Sequence, residues 1–444
     1  MYYDPIFEKS FSRYERKRFG CCAFFLCLIV AFAVTSTLKP HFRSVSMIVD
    51  PVNFQLSIKA AQNMLVLDDR SEDIILVIGD IRVEANSSTI YVLKNYYVET
   101  MLNNNNSINS WTIEPYPRKY TSRVKKWTIK LLGHNFIPKC TQNHTHPAIL
   151  FSLGGFTGNY FHDFADLLFP LYSTSYRFRK EVHFLASDYE PWLTTKFRQI
   201  LDKLTSNRIL DIDKEISQVH CFKNIVVGLK FHKELVLHPS LSSNSPTGLP
   251  MSNFRQLIRE AYSLERETAI ISRNRRPRLM IVSRTRTRAI TNENDVSRLA
   301  IELGYEAVLE DARVSTDVGS FAMKVNSFDV LMGVHGAGLT NMVFLPDNAV
   351  LIQVVSFGPV DRFARLDFGN PTAGMNLRYL EYKITAGESS LSQQYSNDHP
   401  IVNNPNSYKR WNDIWSIYLQ KQNVTIDLLR LKGTLVKALK LLRH

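Results

Sequence analysis

The sequence predicts an α/β protein with two Rossmann-like domains that face a cleft, preceded by an N-terminal transmembrane anchor. Three observations support this prediction. An uncharged apolar run lies near the N-terminus, short apolar strands alternate with helical patterns from residue 148 onward, and the alternation pauses at the breaker-rich loop SSNSPTGLP, residues 242–250. Alternating strands and helices favour parallel sheets covered on both faces. The chain of 444 residues is long enough for two such domains.

The anchor is predicted at residues 19–38, a run that contains no charged residue. At about 1.5 Å per residue, a helix of this length spans the roughly 30 Å hydrocarbon core of a bilayer. The basic stretch RYERKR at residues 13–18 precedes it, which predicts a cytoplasmic tail over residues 1–18 and a luminal remainder. A cleaved signal peptide is the alternative, because the segment AFA at residues 31–33 fits a cleavage site. The long polar arm and the full membrane length favour an uncleaved anchor.

Glycosylation signals and cysteines agree with a luminal chain. Asn-x-Ser/Thr sequons, which are glycosylation acceptors in secreted proteins, follow the predicted anchor at four positions. They are Asn86, Asn105, Asn143 and Asn423. Of the five cysteines only Cys140 and Cys221 lie beyond the anchor, and an oxidising compartment allows these two to form a disulfide.

The charge balance limits the partners. Lys and Arg total 54 against 41 for Asp and Glu, a formal net charge of +13, which suits nucleic acid, a membrane surface or a small anionic ligand. A luminal chain does not meet nucleic acid, so we expect none as a partner. His144 and His146 lie two residues apart beside Pro147. That spacing is typical of a polar loop rather than of a zinc site, and no metal site is predicted.

The elements follow in order along the chain. Residues 39–75 have weak periodicity and are predicted to form a stem. The N-terminal domain is predicted over residues 76–250, where strands and helices alternate. The strands are expected at 74–83, 89–93, 126–132, 148–152, 182–187 and 224–229, and the helices at 160–178 and 192–204.

The C-terminal domain is predicted over residues 251–444 and repeats the same rhythm. Strands are expected at 278–283, 305–309, 328–334 and 349–355, and helices at 251–267, 293–303 and 318–326. An amphipathic helix with basic residues is expected to close the domain at 425–442.

Two strand ends in this domain suit an anionic ligand, because ligands of open α/β sheets bind beyond the carboxyl ends of the strands. In RLMIVSRTRTR a buried strand ends at Ser283, and Arg284, Arg286 and Arg288 follow at alternate positions. Guanidinium groups match phosphate oxygens in charge and geometry. The pattern predicts a diphosphate site, whereas the nearby run at residues 273–276 is predicted to be a solvated basic loop.

The second strand end lies in DVLMGVHGAGLTNMVFLP, residues 329–346. Gly336 and Gly338 allow the backbone to approach a ligand, and a helix is predicted to begin at Gly338 with its free N–H groups toward an anion. His335 is placed at the strand end, facing the same cleft. The segment matches neither the dinucleotide fingerprint G-x-G-x-x-G nor a P-loop.

The N-terminal counterpart is GGFTGNYFHDFADLLFP, residues 154–170, which combines a glycine loop with the start of a helix. A carboxylate at that place can simply complement the helix dipole. A His-Asp pair facing a cleft can instead act as a general base. His162 and Asp166 are four residues apart and Asp163 and Asp166 three apart, so either pair can share a helix face. The spacing does not choose among the three.

These motifs, together with GDIRVEANSST and LRYLEYKI, resemble plant glycosyltransferase family 61, and within it the grass branch that decorates xylan. The resemblance covers about residues 65–440 and depends on several long motifs in one order. It implies a single-pass type II Golgi membrane enzyme with a GT-B-like fold and a luminal catalytic region. It also implies inverting transfer from UDP-xylose or UDP-arabinofuranose to xylose units of xylan, alone or in a complex with other glycosyltransferases.

The residues fit the roles that the resemblance implies. Cationic side chains and a helix N-terminus would stabilise the departing UDP without a metal, so no cofactor is expected beyond the UDP-sugar substrate. The base would come from the N-terminal, acceptor-side domain, as His162 or Asp163, with Asp166 also open. The expected donor-binding residues are Ser283, Arg284, Arg286, Arg288, Glu310, His335, Gly336, Ala337, Gly338 and Asn341.

The sequence departs from the family at one point and leaves one alternative function. The resemblance implies two cysteines before the GDIR segment, and VLDDRSEDIILVIGDIR contains none, so the disulfide expected there is absent. A non-catalytic xylan-binding or scaffold subunit of a polysaccharide synthase complex is the alternative. A dehydrogenase is disfavoured by the missing dinucleotide fingerprint and by the luminal location.

Overall fold

The computed structural model describes residues 65–67, 75–93, 110–118, 121, 123–231, 233–236, 251–269, 275–311 and 317–443. The predicted tail, anchor and most of the stem, and the sequon at Asn105, lie outside these residues. Within them, no helix combines the length and the apolar character needed to cross a membrane.

The first sheet has ten strands and is mixed, in contrast to the parallel sheet predicted for this half. Its order is β4-β5-β3-β2-β10-β7-β8-β9, with β1 paired to β2 and β6 to β10. The strands are β1 Leu65–Leu67, β2 Ile75–Glu84, β3 Thr89–Leu93, β4 Ser110–Ile113, β5 Trp127–Leu132, β6 Gln142–Asn143, β7 Ala148–Ser152, β8 His183–Ser187, β9 Leu210–Asp211 and β10 Val219–Val227.

Only part of this sheet is parallel. The pairs β3–β5 and β6–β10 run parallel with no strand–helix–strand unit joining them directly in the described part of the chain, and the longest parallel part lies around β7 and β8. Strands β10, β7, β8 and β9 run parallel, and helices connect β7 to β8 and β8 to β9. The strands β2 and β3 are joined by a short turn at Ala85–Ser88 and pair antiparallel. A turn of that length cannot make the crossover that parallel pairing requires.

The second sheet is fully parallel, as predicted. Its strands are β11 Arg278–Ser283, β12 Glu306–Asp311, β13 Val330–Val334, β14 Val350–Val355 and β15 Arg378–Lys383. The strand order is β12-β11-β13-β14-β15. This is a doubly wound arrangement, in which β12 is added on one side of β11 and the later strands are added on the other side, beginning with β13. Ligands of such sheets bind at that switch point, beyond the carboxyl ends of β11 and β13.

Helices cover both sheets and join the two halves. The principal α-helices are Tyr160–His162, Phe169–Ser175, Pro191–Lys196, Arg198–Leu204, Met251–Tyr262, Glu293–Glu302, Val318–Asn326, Asp361–Ala364, Asn370–Gly374, Leu391–Gln394, Pro400–Asn403, Trp411–Asp413 and Leu428–Leu442. Three segments are π-helical, Asp163–Leu168, Arg365–Gly369 and Ile414–Leu419.

The largest hydrophobic core runs continuously through both halves. The rings of Phe164 and Phe344 lie 5.9 Å apart between centroids, and those of Phe169 and Phe254 lie 5.2 Å apart. The first residue of each pair belongs to the first half and the second to the other. This shared core fixes the helix that begins at Tyr160 against the end of β13.

Cys140 and Cys221 form a disulfide that ties the segment before β6 to the long strand β10, with Cα atoms 5.9 Å apart. Of the described sequon residues, Asn86 and Asn143 are exposed. Asn423 is partly buried, and its side-chain oxygen accepts a hydrogen bond from the backbone N–H of Ala289 at 3.0 Å. Its position therefore suits packing better than it suits a glycan.

We expect the double substitution of Cys140 and Cys221 by serine to lower the free energy of unfolding by about 2–4 kcal/mol. The bond spans 81 residues of sequence, so its loss frees a long loop in the unfolded chain. Urea denaturation of the oxidised wild type and of the variant measures the difference. Reduced wild type should match the variant, and equal stability of all three samples would contradict the structural role.

Four histidines gather beside this disulfide. His144 Nε2 lies 3.0 Å from His220 Nδ1, and the ring of His183 meets that of His144 edge-on at 4.6 Å. His146 stands beside His183, with ring centroids 5.8 Å apart. Burial lowers the pKa of His144 to about 4, with further lowering by His183 and His220. Burial also lowers the pKa of His183 and that of His220, although Glu215 opposes the second shift.

These shifts predict acid sensitivity. A histidine whose pKa is lower in the folded state binds fewer protons there, so stability is present above its ordinary value of 6.5 and is lost as pH falls towards 4. Urea midpoints measured between about pH 7 and about pH 4.5 should therefore fall. A His144→Asn variant should show a flatter pH dependence, and an unchanged slope would rule the cluster out as the cause.

Candidate active site

Two arginines converge beyond the carboxyl ends of β11 and β13. A Cβ atom built on Gly336 would lie 2.7 Å from Arg284 Nη1 and 3.1 Å from Arg288 Nη1, so only glycine admits both guanidinium groups here. The φ of +148° at Gly336 also favours glycine. Arg286, between them in sequence, is exposed. Of the three arginines predicted to form one site, Arg284 and Arg288 therefore contribute to it and Arg286 does not.

Arg288 is held firmly. Its Nη1 donates to the carbonyl of His335 at 2.7 Å, and its own N–H donates to the carbonyl of Gln422 at 2.7 Å. Its backbone adopts the left-handed conformation, φ +56°, which costs about 1–2 kcal/mol in a residue with a Cβ. The C-terminal segment around Gln422 thus fixes the arginine loop in a strained conformation, as is common at functional sites.

Neither arginine is paired with a carboxylate in the described part of the chain. Burial, reinforced by the charge of Arg284, lowers the pKa of Arg288 to about 9, and burial lowers the pKa of Arg284 as well. The Nε atom of Arg288 is buried without a hydrogen-bond partner among the described residues. A buried and a partly buried cation side by side are costly unless an anion joins them, so the geometry fits a phosphate group.

His335 is 6% exposed and neutral. Burial, with the charges of Arg288 and Arg284, lowers its pKa to about 3. Its Nδ1 accepts a hydrogen bond from Gln353 Nε2 at 2.9 Å, because Gln353 Oε1 already accepts one from Tyr379. The imidazole proton is therefore on Nε2, which lies 3.9 Å from Asp367 Oδ2. His335 can therefore donate a hydrogen bond from Nε2, and it has no free lone pair with which to act as a base.

Two predicted donor-side residues are engaged elsewhere. Ser283 Oγ donates to Glu293 at 2.6 Å, and Glu310 accepts a hydrogen bond from Lys324 at 2.5 Å. The helix predicted from Gly338 is a 3-10 helix, Ala337–Phe344, that contacts Tyr160–His162. Within it Asn341 donates to the carbonyl of Gly338 at 2.9 Å, whereas Asn341 Oδ1 has no partner among the described residues.

On the opposite side, His162 and Asp166 form a dyad. Asp166 is fully buried, and its Oδ2 accepts a hydrogen bond from His162 Nδ1 at 2.8 Å. Burial alone would raise the pKa of Asp166, but Arg118 and His162 outweigh it and hold that pKa well below its usual range. An ionised Asp166 keeps the proton of His162 on Nδ1. The lone pair of Nε2 is then free for an incoming hydroxyl.

Hydrogen bonds from Arg118 and Tyr116 fix Asp166. Arg118 donates to it through Nε at 2.8 Å, and the Tyr116 hydroxyl donates at 2.9 Å. Arg118 also donates to Glu234 at 3.0 Å, which balances its charge. Gly155, with φ +63°, lies where a Cβ would meet the Tyr116 ring at 2.5 Å. The glycine loop therefore serves to admit Tyr116.

Asp163 does not reach the cleft. It is fully buried, its Oδ1 accepts from the Gly158 N–H at 2.8 Å, and its Oδ2 pairs with Lys196 at 3.3 Å. Burial raises the pKa of Asp163, although Gly158 and Lys196 oppose the shift. This carboxyl anchors the glycine loop to the neighbouring helix, and its position does not suit the role of base that its place in the sequence suggested.

A line of polar side chains crosses between the halves, and the sequence patterns had not identified several of them. Asp367, Arg118, Tyr116 and Glu234 carry no local motif. Arg118 follows the stretch EPYP, and its partners Asp166 and Glu234 lie 48 and 116 residues away. Burial raises the pKa of Asp367 well above its usual value, and Glu234 adds to the shift. The described residues include no group of three or more His, Cys, Asp or Glu side chains arranged for a metal ion.

Comparison with known proteins points to one family. Residues 134–352 match the family model described as Glycosyltransferase 61. The chain is 42% identical over 370 residues to alpha-1,3-arabinosyltransferase XAT2 of Oryza sativa subsp. japonica, covering 81% of this chain and 61% of that protein. It is 44% identical over 338 residues to alpha-1,3-arabinosyltransferase XAT3 of the same organism, covering 74% and 58%.

A third relative is covered over more of its length. Beta-1,2-xylosyltransferase XYXT1 of Oryza sativa subsp. japonica is 38% identical over 343 residues, which cover 75% of this chain and 72% of that protein. The chain spans about three fifths of the two arabinosyltransferases. The matched region contains both the His162–Asp166 dyad and the paired arginines. The chain belongs to glycosyltransferase family 61.

Proposed function

We propose that the chain is an inverting glycosyltransferase that transfers a pentose, xylose or arabinofuranose, from a UDP-sugar to xylan. The observation that carries the proposal is the pair of arginines, the buried Arg288 and the partly buried Arg284, which converge on Gly336 with no carboxylate partner among the described residues. The relatives named as arabinosyltransferases and a xylosyltransferase support the pentose. A relative in Arabidopsis thaliana, 34% identical, is named as a xylan glycosyltransferase and supports the acceptor.

In this proposal the two sides of the cleft divide the reaction. Arg284 and Arg288 bind the diphosphate, and His162 Nε2 takes the proton from an acceptor hydroxyl. The hydroxyl oxygen then bonds to the anomeric carbon as the bond from that carbon to UDP breaks, which inverts the configuration. Asp166 stabilises the protonated His162. The arginines stabilise the charge on the departing UDP.

The finer features of the proposal follow from the same elements. A GT-B-like cleft accounts for a donor side beyond β11 and β13 and an acceptor side beyond β7. Because two cations already face the leaving group, we expect no metal requirement, so transfer should continue in the presence of EDTA. A membrane anchor with a luminal catalytic region is supported by the apolar run at residues 19–38, and the Golgi location follows from the resemblance to plant glycosyltransferase family 61.

The test is a donor and acceptor screen. The purified luminal region, from about residue 65 onward, is incubated with UDP-xylose, UDP-arabinofuranose or UDP-glucose and with xylo-oligosaccharide. We expect a pentose to be transferred and no hexose. A folded protein that binds UDP but transfers no pentose would refute the xylan pentosyltransferase. A folded protein that binds xylan but not UDP would indicate the scaffold function instead.

A further inference from the structure

Asp367 is a carboxyl group in the cleft to which the mechanism above gives no part. It lies in the π-helical segment Arg365–Gly369, and such local insertions are frequent at functional sites. The next residue, Phe368, packs edge-on against the rings of Phe161 and His335, at 5.4 Å and 5.6 Å between centroids. These contacts hold the turn, and with it Asp367, between the donor side and the acceptor side.

The carboxyl of Asp367 has no hydrogen-bond partner among the described residues, and its nearest recorded neighbour is His335 Nε2 at 3.9 Å. About a quarter of its side chain is exposed. The charged groups that face it from the first half are Glu234, Arg118 and Asp166. Arg118 is already shared between the other two carboxylates. Burying a carboxyl group without a hydrogen-bond partner costs free energy. A bound ligand with hydroxyl groups would supply the missing partner and remove that cost.

The order of the polar groups between the diphosphate site and His162 suits a bound sugar. The diphosphate site at Arg288 adjoins His335, His335 points its N–H toward Asp367, and Asp367 faces Asp166 beside His162. A donor sugar must lie between the phosphates and the base, so its hydroxyls pass this pair. A hydroxyl both donates and accepts hydrogen bonds. The His335 N–H and the Asp367 oxygen together supply one donor and one acceptor.

We propose that Asp367, with His335, recognises a hydroxyl group of the transferred pentose and so helps to determine which donor sugar is used. This assignment rests on the proposed function, because it needs a UDP-sugar in the cleft. It gives Asp367 a contact to the sugar and none to the diphosphate.

The experiment measures the dissociation constants of UDP, UDP-xylose and UDP-arabinofuranose by calorimetry, in wild type and in Asp367→Ala. A hydrogen bond contributes about 0.5–1.5 kcal/mol, so the better-bound UDP-pentose should lose affinity by about 2- to 10-fold. The affinity for UDP alone should not change. Asp361→Ala is the matched control, because Asp361 is exposed and precedes the same helical turn; it should alter none of the three constants.

A conservative variant separates recognition from folding. Asp367→Asn removes a buried carboxyl that faces Glu234 and Asp166, so its melting temperature should equal or exceed that of wild type while the UDP-pentose affinity falls. A residue needed only for folding would lower the melting temperature.

Three results would overturn the assignment. These are an equal loss of UDP and UDP-pentose affinity, no loss of either, or a loss of UDP affinity alone. Each leaves the proposed function standing. Failure of the wild type to bind UDP would instead refute the proposed function, and this assignment with it.

Discussion

His162→Ala is expected to lower the rate of pentose transfer by about 10²–10⁴-fold, the usual contribution of a positioned general base. The reason is geometric, since Nδ1 of His162 is bonded to the buried Asp166 at 2.8 Å and its Nε2 is left to accept a proton. UDP affinity should be unchanged, because the residue lies across the cleft from the arginines. Single-turnover transfer and UDP calorimetry measure the two quantities separately.

Two further variants distinguish a base from a structural residue. Asp166→Asn would offer an N–H to His162 Nδ1, which moves the imidazole proton to Nε2, so transfer should fall although the hydrogen bond remains. Asp163→Asn is the comparison. Asp163 follows His162 in the sequence, but among the described residues its carboxylate is hydrogen-bonded to the glycine loop and to Lys196. Any loss of activity in Asp163→Asn should be proportional to its loss of stability. Added imidazole should partly restore transfer in His162→Ala and should not do so in Asp163→Asn. If imidazole restores nothing and Asp163→Asn is the more damaged at equal stability, the base has been misassigned.

The sequence predicted the second half of the fold better than the first. The three central strands of the second sheet, β11, β13 and β14, are nearly continuous apolar runs separated by helical patterns. Such runs identify parallel strands buried on both faces. The first sheet was misjudged where short turns replace helices, because pairing direction depends on the connection rather than on the strand. The stretch between β14 and the last helix was not predicted. It contains the π-helical turns Arg365–Gly369 and Ile414–Leu419, which disturb the period of 3.6 residues.

The candidate site divides in the same way. The spacing of His162 and Asp166 predicted a shared helix face, and the structure confirms their contact. Local spacing could not show that Asp163 points into the protein, since this depends on Lys196 from another helix. Nor could it identify Arg118 or Asp367. Their partners come from distant segments of the chain, so the residues next to them in the sequence form no pattern that predicts those contacts.

Arg288→Gln is expected to weaken UDP binding by about 10- to 100-fold, which corresponds to the about 1.5–3 kcal/mol of a hydrogen bond to a charged group. The side chain is 7% exposed and its Nε has no partner among the described residues. The substitution keeps the hydrogen bond from the backbone N–H of residue 288 to the carbonyl of Gln422, so the loop has a means of staying in place. The variant therefore loses the positive charge beside Gly336, and calorimetry measures the resulting change in UDP affinity.

Arg286→Gln is the matched control for this prediction, because it removes the same charge from the same loop at an exposed position. Exposed charges contribute little, about 0–1 kcal/mol, so UDP affinity should change by less than about fivefold. Raising the salt concentration should abolish what difference Arg286→Gln makes, whereas the effect of Arg288→Gln should persist, since buried charges are screened much less. Equal losses in the two variants would mean that UDP senses only the net charge of the loop. The convergence of Arg284 and Arg288 on Gly336 would then not be the diphosphate site.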